Sequence, residues 1–219
     1  MISGNTIYSS LKQYAIGLDI STRTIGITLM DTTGKLIDIS HISFPKTSKK
    51  NGLITIYDKA TFFKNTIIDY LKNFHISYIF IEEPLKNGPN IGTTILLAKF
   101  NGILSHILYE NFKVMPEHIT VHTARSLFFP EYIVEEKVKN KKTNEIFIKN
   151  ILRLPDGDKK QVIFNKVAWL DPQIKWEYNK LGQLDIENYD RADSYVVTKA
   201  GLLLNGLINE IPKCEKSAL

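Results

Sequence analysis

From residue 14 to residue 31 the chain alternates apolar with small or polar residues twice, with one polar break between the runs. Tyr14, Ile16 and Leu18 mark the first run, followed by Asp19. Ser21, Thr22 and Arg23 make the break, and Ile25, Ile27 and Leu29 mark the second run, which ends at Asp31. Period-two alternation around a polar turn predicts a β-hairpin. Gly17 and Gly26 carry no side chain, so another element is expected to come close to the backbone on both sides of the turn. Residues 35–44 alternate again through Leu36, Ile37, Ile39 and Ile42 and predict a third strand, completing a meander.

Beyond residue 58 the period lengthens. Phe63, Ile67, Tyr70, Leu71 and Phe74 recur at helical spacing, with Asp58 or Thr61 as the expected cap. Residues 76–81, ISYIFI, form an unbroken apolar run that ends in Glu82, Glu83 and Pro84. Such a run predicts a strand buried on both faces. Residues 91–112 predict a long apolar helix, and Gly102 in its middle, unfavourable in isolation, predicts close packing there. A short strand over 118–122, a short helix over 124–128, a helix over 159–170 and a last helix over 190–208 follow. Residues 131–157 carry no single period and are expected to be an insertion with small elements of its own. The order implies an α/β domain: a mixed five-stranded sheet flanked by helices. One domain is expected over residues 1–219, with a basic insertion at about 131–157.

Composition changes this picture in two places. Residues 1–13 are expected to be a loose leader, lacking the apolar core of a signal peptide, and no apolar run approaches the roughly 20 residues that span a bilayer. The single Cys214 has no internal disulfide partner. A soluble intracellular protein is expected, of a bacterial cytoplasm, a virus-infected cell or an organelle. The formal net charge is +5, and it is local. Between residues 137 and 160, eight bases face three acids, a difference of +5. A clustered excess points to a polyanionic partner, and a solvated lysine-rich insertion is the plainer alternative.

Three places carry acids at awkward positions. Asp19 closes the first strand, Glu82 and Glu83 close the fourth, and Asp190 and Asp193 open the last helix. Taken singly each has an ordinary role: Asp19 in a turn, Asp190 as a helix cap, Asp193 against the helix dipole. Taken together, strand ends and a covering helix can meet at one edge of a sheet. Clustered carboxylates stay ionised only when a cation offsets them. Oxygen-rich sites favour Mg²⁺ or Mn²⁺, and a pair of such ions suits phosphodiester cleavage.

The segments IGLDISTRTIGITLMD, YIFIEEP and DRADSYVVTKAG resemble the three acidic motifs of RuvC-like Holliday-junction resolvases, within the RNase H-like superfamily. The resemblance covers three short motifs in order and implies an RNase H-like sheet. It implies Mg²⁺-dependent paired nicking of four-way DNA junctions by a homodimer, with two ions and Mn²⁺ as a substitute. Carried over by position, Asp19 is the first acid, Glu82 the second, and Asp190 and Asp193 the last pair. Glu82 is preferred because Glu83 would point to the opposite face of a continued strand. KKQVIFNKV resembles the family's basic helix, so Lys159, Lys160 and Lys166 are expected at the DNA, one of the first two at the scissile phosphate. Lys141 and Lys142 of the insertion are further expected contacts. Phe128, Phe129, Trp169 and Trp176 are candidate base-stacking residues, with core or loop packing as the ordinary alternative. The chain is longer than bacterial members, which is similar to phage, other viral or organellar variants. The alternatives are a non-catalytic junction-binding protein of the same fold and a YqgF-like RNA-processing nuclease. The DISTRTIG turn also resembles the phosphate turn of actin-like sugar kinases, but the chain is too short for their second domain.

Overall fold

A computed structural model describes residues 12–45, 55–84, 90–139, 143–155 and 158–214. Most of the expected leader, the lysines of the 46–54 loop, and Lys141 and Lys142 lie outside the described residues.

The first three strands are β1 (Gln13–Ile20), β2 (Thr24–Asp31) and β3 (Leu36–Ser43). Ser21 closes the first turn: its hydroxyl accepts from the Thr24 amide at 3.0 Å and donates to the Thr24 carbonyl at 2.8 Å. Helix α1 (Ile56–Leu71) leads to β4 (His75–Glu83), and helix α2 (Ile91–Phe112) leads to β5 (Glu117–Thr120). The sheet order is β3-β2-β1-β4-β5; the first three strands are antiparallel, and β4 runs parallel to both β1 and β5. Helix α3 (Val121–Phe128) follows β5 directly. The expected insertion forms a separate ribbon, β6 (Ile133–Lys139) with β7 (Ile146–Leu152). Helices α4 (Lys159–Leu170) and α5 (Glu187–Leu204) complete the described chain.

Because strand side chains alternate, the sheet has two apolar faces. Ile16, Leu18, Ile25, Ile27, Ile79 and Ile81 pack with Phe63, Ile67 and Leu71 of α1 and Phe100, Leu104 and Leu108 of α2. Ala15, Met30 and Phe80 pack with α5, through Tyr195, Val196, Val197 and Ala200, and with α3 and α4. The closeness expected at Gly17 and Gly26 is real, and α5 is the element that comes close. A Cβ on Gly17 would overlap the Thr198 hydroxyl, and one on Gly26 would overlap the Asp190 carbonyl. A Cβ on Gly201 would overlap the Phe80 ring, so the packing is tight from both sides.

Several boundaries differ from expectation. Helix α1 starts earlier, capped by Thr55, whose capping box uses Asp58 at its third helical position. Helix α5 starts before Asp190 and ends at Leu204, with Gly206 at φ +66° beyond it, so Ile208 is not helical. Gly102 is exposed and a Cβ there would meet nothing within 4 Å, so it marks no close packing. Helix α2 is long and apolar enough, by length and composition only, to cross a membrane. One of its stripes, Phe100, Leu104 and Leu108, lies in the core, while Ile91 and Ile95 stand exposed at its start.

Candidate active site

Four carboxylates meet where β1 and β4 end under the first turns of α5. The parallel register pairs Leu18 with Ile81, so Asp19 and Glu82 are the next residues of neighbouring strands. Both project to the face that α5 covers, the face of Gly17 and Phe80, while Glu83 projects to the α1–α2 face. Asp190 sits in the first turn of α5 and Asp193 one turn on, buried. The Thr24 hydroxyl donates to Asp190 Oδ2, tying the start of β2 to the start of the helix.

Arg191 fixes that helix start. Its guanidinium is buried, donating to Asn188 Oδ1 at 2.7 Å, to the Ile39 carbonyl at 3.1 Å and to the Lys175 carbonyl at 3.0 Å. It also lies 5.2 Å from the Trp176 ring. In the DRAD segment the arginine is therefore an anchor to β3 and to the preceding loop, between two acids that face the strand ends.

The acids press on one another. Burial raises the Asp19 carboxyl well above its ordinary value, and the charges of Glu82, Asp193 and Asp190 add to the rise. Burial, with Asp193 next, raises Glu82 to about 7, against the pull of Arg125. Burial raises Asp193 as well, opposed by Arg125 and Lys160. Arg125 Nη2 donates to Asp193 Oδ1 at 3.4 Å, and its Nε is buried without a hydrogen-bond partner among the described residues.

A groove of about 780 Å³ opens beside the acids, lined by the β1–β2 turn, Phe44, Lys59, Lys160, Glu187 and Asp190. Arg23, Lys59 and Lys160 make its rim cationic. Lys59 Nζ also donates to the Thr22 carbonyl at 2.5 Å.

The predicted residues divide cleanly. Asp19, Glu82, Asp190 and Asp193 come to one edge, and Lys160 joins them at the groove. Lys159 is exposed at the start of α4. Lys166, expected at the DNA, is not on the surface: it is fully buried, donating to the Phe128 carbonyl at 2.6 Å and to Glu131 Oε1 at 2.7 Å. Its ammonium lies about 5 Å from both the Phe128 and Phe129 rings, which are core residues and not stacking platforms. Trp176 packs on Phe164 and Arg191, and Trp169 is half exposed. Arg125, Arg23 and Lys59 were not expected at the site. A lone arginine on an eight-residue helix carries no signal of the carboxylate it meets 68 residues later.

The donor chemistry fits a hard divalent cation: four carboxylates, two of them sharply raised by burial and mutual repulsion, with Asp190 lining the groove. As the side chains lie, no three His, Cys, Asp or Glu residues among those described stand close enough to hold a metal ion.

The fold is RNase H-like, a five-stranded mixed sheet flanked by helices. Among solved structures the chain is similar to RuvC of Thermus thermophilus in complex with a Holliday junction substrate, with TM-score 0.56 and 8% identity over 89% of this chain and 96% of that one. It is also similar to Thermus thermophilus RuvC alone, with TM-score 0.53 and 10% identity over 88% of this chain and 96% of the other. No family model and no curated protein sequence matches the chain.

Proposed function

We propose that this protein is a divalent-metal-dependent, structure-selective endonuclease that resolves four-way or branched DNA junctions by paired phosphodiester nicks. The observation that carries the reading is the convergence of Asp19, Glu82, Asp190 and Asp193, from three separate segments, on the α5 side of a RuvC-type sheet. The four carboxylates would hold two Mg²⁺ ions, with Mn²⁺ as a substitute. Such ions supply a nucleophilic water at neutral pH and offset charge on the reacting phosphate. Thr24 holds Asp190 in place, and Arg191 holds the helix that carries both aspartates. Lys160 and Arg23, on the groove rim, bind backbone phosphates, with Lys159 beside them. Those contacts carry no base information, so selectivity rests on junction shape. Paired nicks on a two-fold substrate call for a two-fold dimer.

A second reading has its own support. Arg125 already gives Asp193 a cation at 3.4 Å, which suits a junction-binding protein without turnover. One experiment separates them: a labelled four-way junction and a linear duplex are incubated with the protein in Mg²⁺, in Mn²⁺ and in EDTA, beside Asp19→Asn. The nuclease gives paired nicks on the junction only, lost in EDTA and reduced at least about a thousandfold in the variant. Tight binding with no nicks under either metal selects the binding protein.

A further inference from the structure

The ribbon β6–β7 is anchored at its base and bare at its tip. Leu152 and Leu154 pack against the core, and the Arg153 amide donates to the Tyr132 carbonyl at 2.9 Å. Farther out, Ile146 is 69% and Ile148 64% exposed. Exposed β-branched residues on a two-stranded ribbon invite self-association unless charge or a partner manages them. The register sets Lys137 opposite Ile148 and Lys139 opposite Ile146. Cross-strand partners, and residues two apart along a strand, share a face.

The outer half of that face therefore presents two ammonium groups interleaved with two isoleucines. The carboxylates nearby are directed elsewhere. Glu136 lies on the other face and pairs with Arg153, Glu135 sits nearer the base opposite Asn150, and Glu145 bonds Thr143 in the turn. A fitting partner offers regularly spaced anions beside an uncharged surface. Lysines two residues apart on a strand stand about 6.8 Å apart, twice the roughly 3.4 Å axial rise per nucleotide of one DNA strand. A two-stranded ribbon also matches the width of the DNA major groove.

We infer that the β6–β7 ribbon is a second DNA contact, outside the acidic groove, that grips a duplex arm. Lys137 and Lys139 lie on backbone phosphates, and Ile146 and Ile148 lie against the groove wall, independent of base sequence. The inference rests on the nuclease reading and extends it to how the substrate's arms are held.

The test titrates full-length protein onto a fluorescent four-way junction and a linear duplex across a salt series in EDTA. Wild type is compared with K137Q/K139Q and with I146S/I148S, whose exposed positions leave the core intact; unchanged thermal midpoints verify this. K137Q/K139Q is expected to weaken binding to both DNAs about tenfold or more and to lower the slope of log K against log salt by about 1.8, two contacts at roughly 0.9 each. I146S/I148S is expected to weaken binding with the slope unchanged. Wild-type affinity and slope in both variants, while Asp19→Asn still removes cleavage, overturn the ribbon contact and leave the nuclease standing. No DNA binding by wild type overturns both. Binding to phosphatidylserine vesicles that both variants lose, at unchanged DNA affinity, assigns the face to a membrane surface and overturns the inference.

Discussion

Lys166 lies inside the protein, between the Phe128 carbonyl, Glu131 and two aromatic rings, where burial lowers its pKa against the pull of the Glu131 carboxylate. Breaking a buried pair by removing one member leaves the other charge unpaired, at a cost of about 3–5 kcal/mol. Lys166→Ala is therefore expected to lower the thermal midpoint strongly, measured by calorimetry, while the salt slope of DNA binding stays that of wild type. Glu82 has the opposite character, a carboxyl that folding makes harder to ionise. Its folded value is about 7 against 4.5 for the ordinary group. Between these values the folded protein holds a proton that the unfolded chain has released. Its stabilising contribution is complete below about pH 4.5 and is lost as pH rises through about 7. Asp19 and Asp193 shift in the same direction. Without divalent ions, stability is expected to fall as pH rises from about 4.5 through about 7, with Glu82 contributing on the order of 3 kcal/mol. Glu82→Gln flattens the fall, as thermal melts across that range would record.

At the scale of elements, glycine separates what the sequence disclosed from what it did not. Bare strand positions at Gly17 and Gly26 correctly announced a close neighbour, because a missing Cβ on a strand flattens the sheet for whatever lies on it. The same inference failed at Gly102, which faces open space on a helix. Gly26→Ala would push the Asp190 backbone off the sheet; the expected result is a lower thermal midpoint and loss of cleavage with all four acids intact. Gly102→Ala is expected to leave cleavage alone and to add up to about 1 kcal/mol of stability in a denaturant titration. Periodicity disclosed the elements themselves: ISYIFI as the doubly covered strand, KKQVIFNKVAWL as a helix. It also accounts for Lys166. Lys166 is four residues from Val162 and three from Ile163, so it shares their buried stripe. The acids were legible because strand ends and helix starts are local features. Arg125 was not, because its role exists only once α3 packs against α5.

Over the whole molecule, α5 joins the two halves of the sheet, touching β1, β2, β3, β4 and β5. The opposite side is less finished: Ile91, Ile95 and Leu96 of α2 are exposed at 78%, 49% and 42%. If those side chains form the proposed two-fold contact, sedimentation of the 25.0 kDa chain gives a mass of about 50 kDa. Ile95→Glu with Leu96→Glu then gives the single-chain mass, and an unchanged dimer places the contact elsewhere.

The covering helix also sets a clock on biosynthesis. Asp19 and Glu82 leave the ribosome early, but their companions at 190 and 193 follow more than a hundred residues later. At roughly 5–20 residues per second, several seconds of translation separate the two pairs. Until then the strands present an uncovered apolar surface, and the carboxylate set is half assembled. A ribosome that stalls before α5 releases a chain that cannot complete the acid cluster. Such a chain exposes the apolar face that proteases and chaperones recognise, so the order of synthesis withholds the site until α5 has been made.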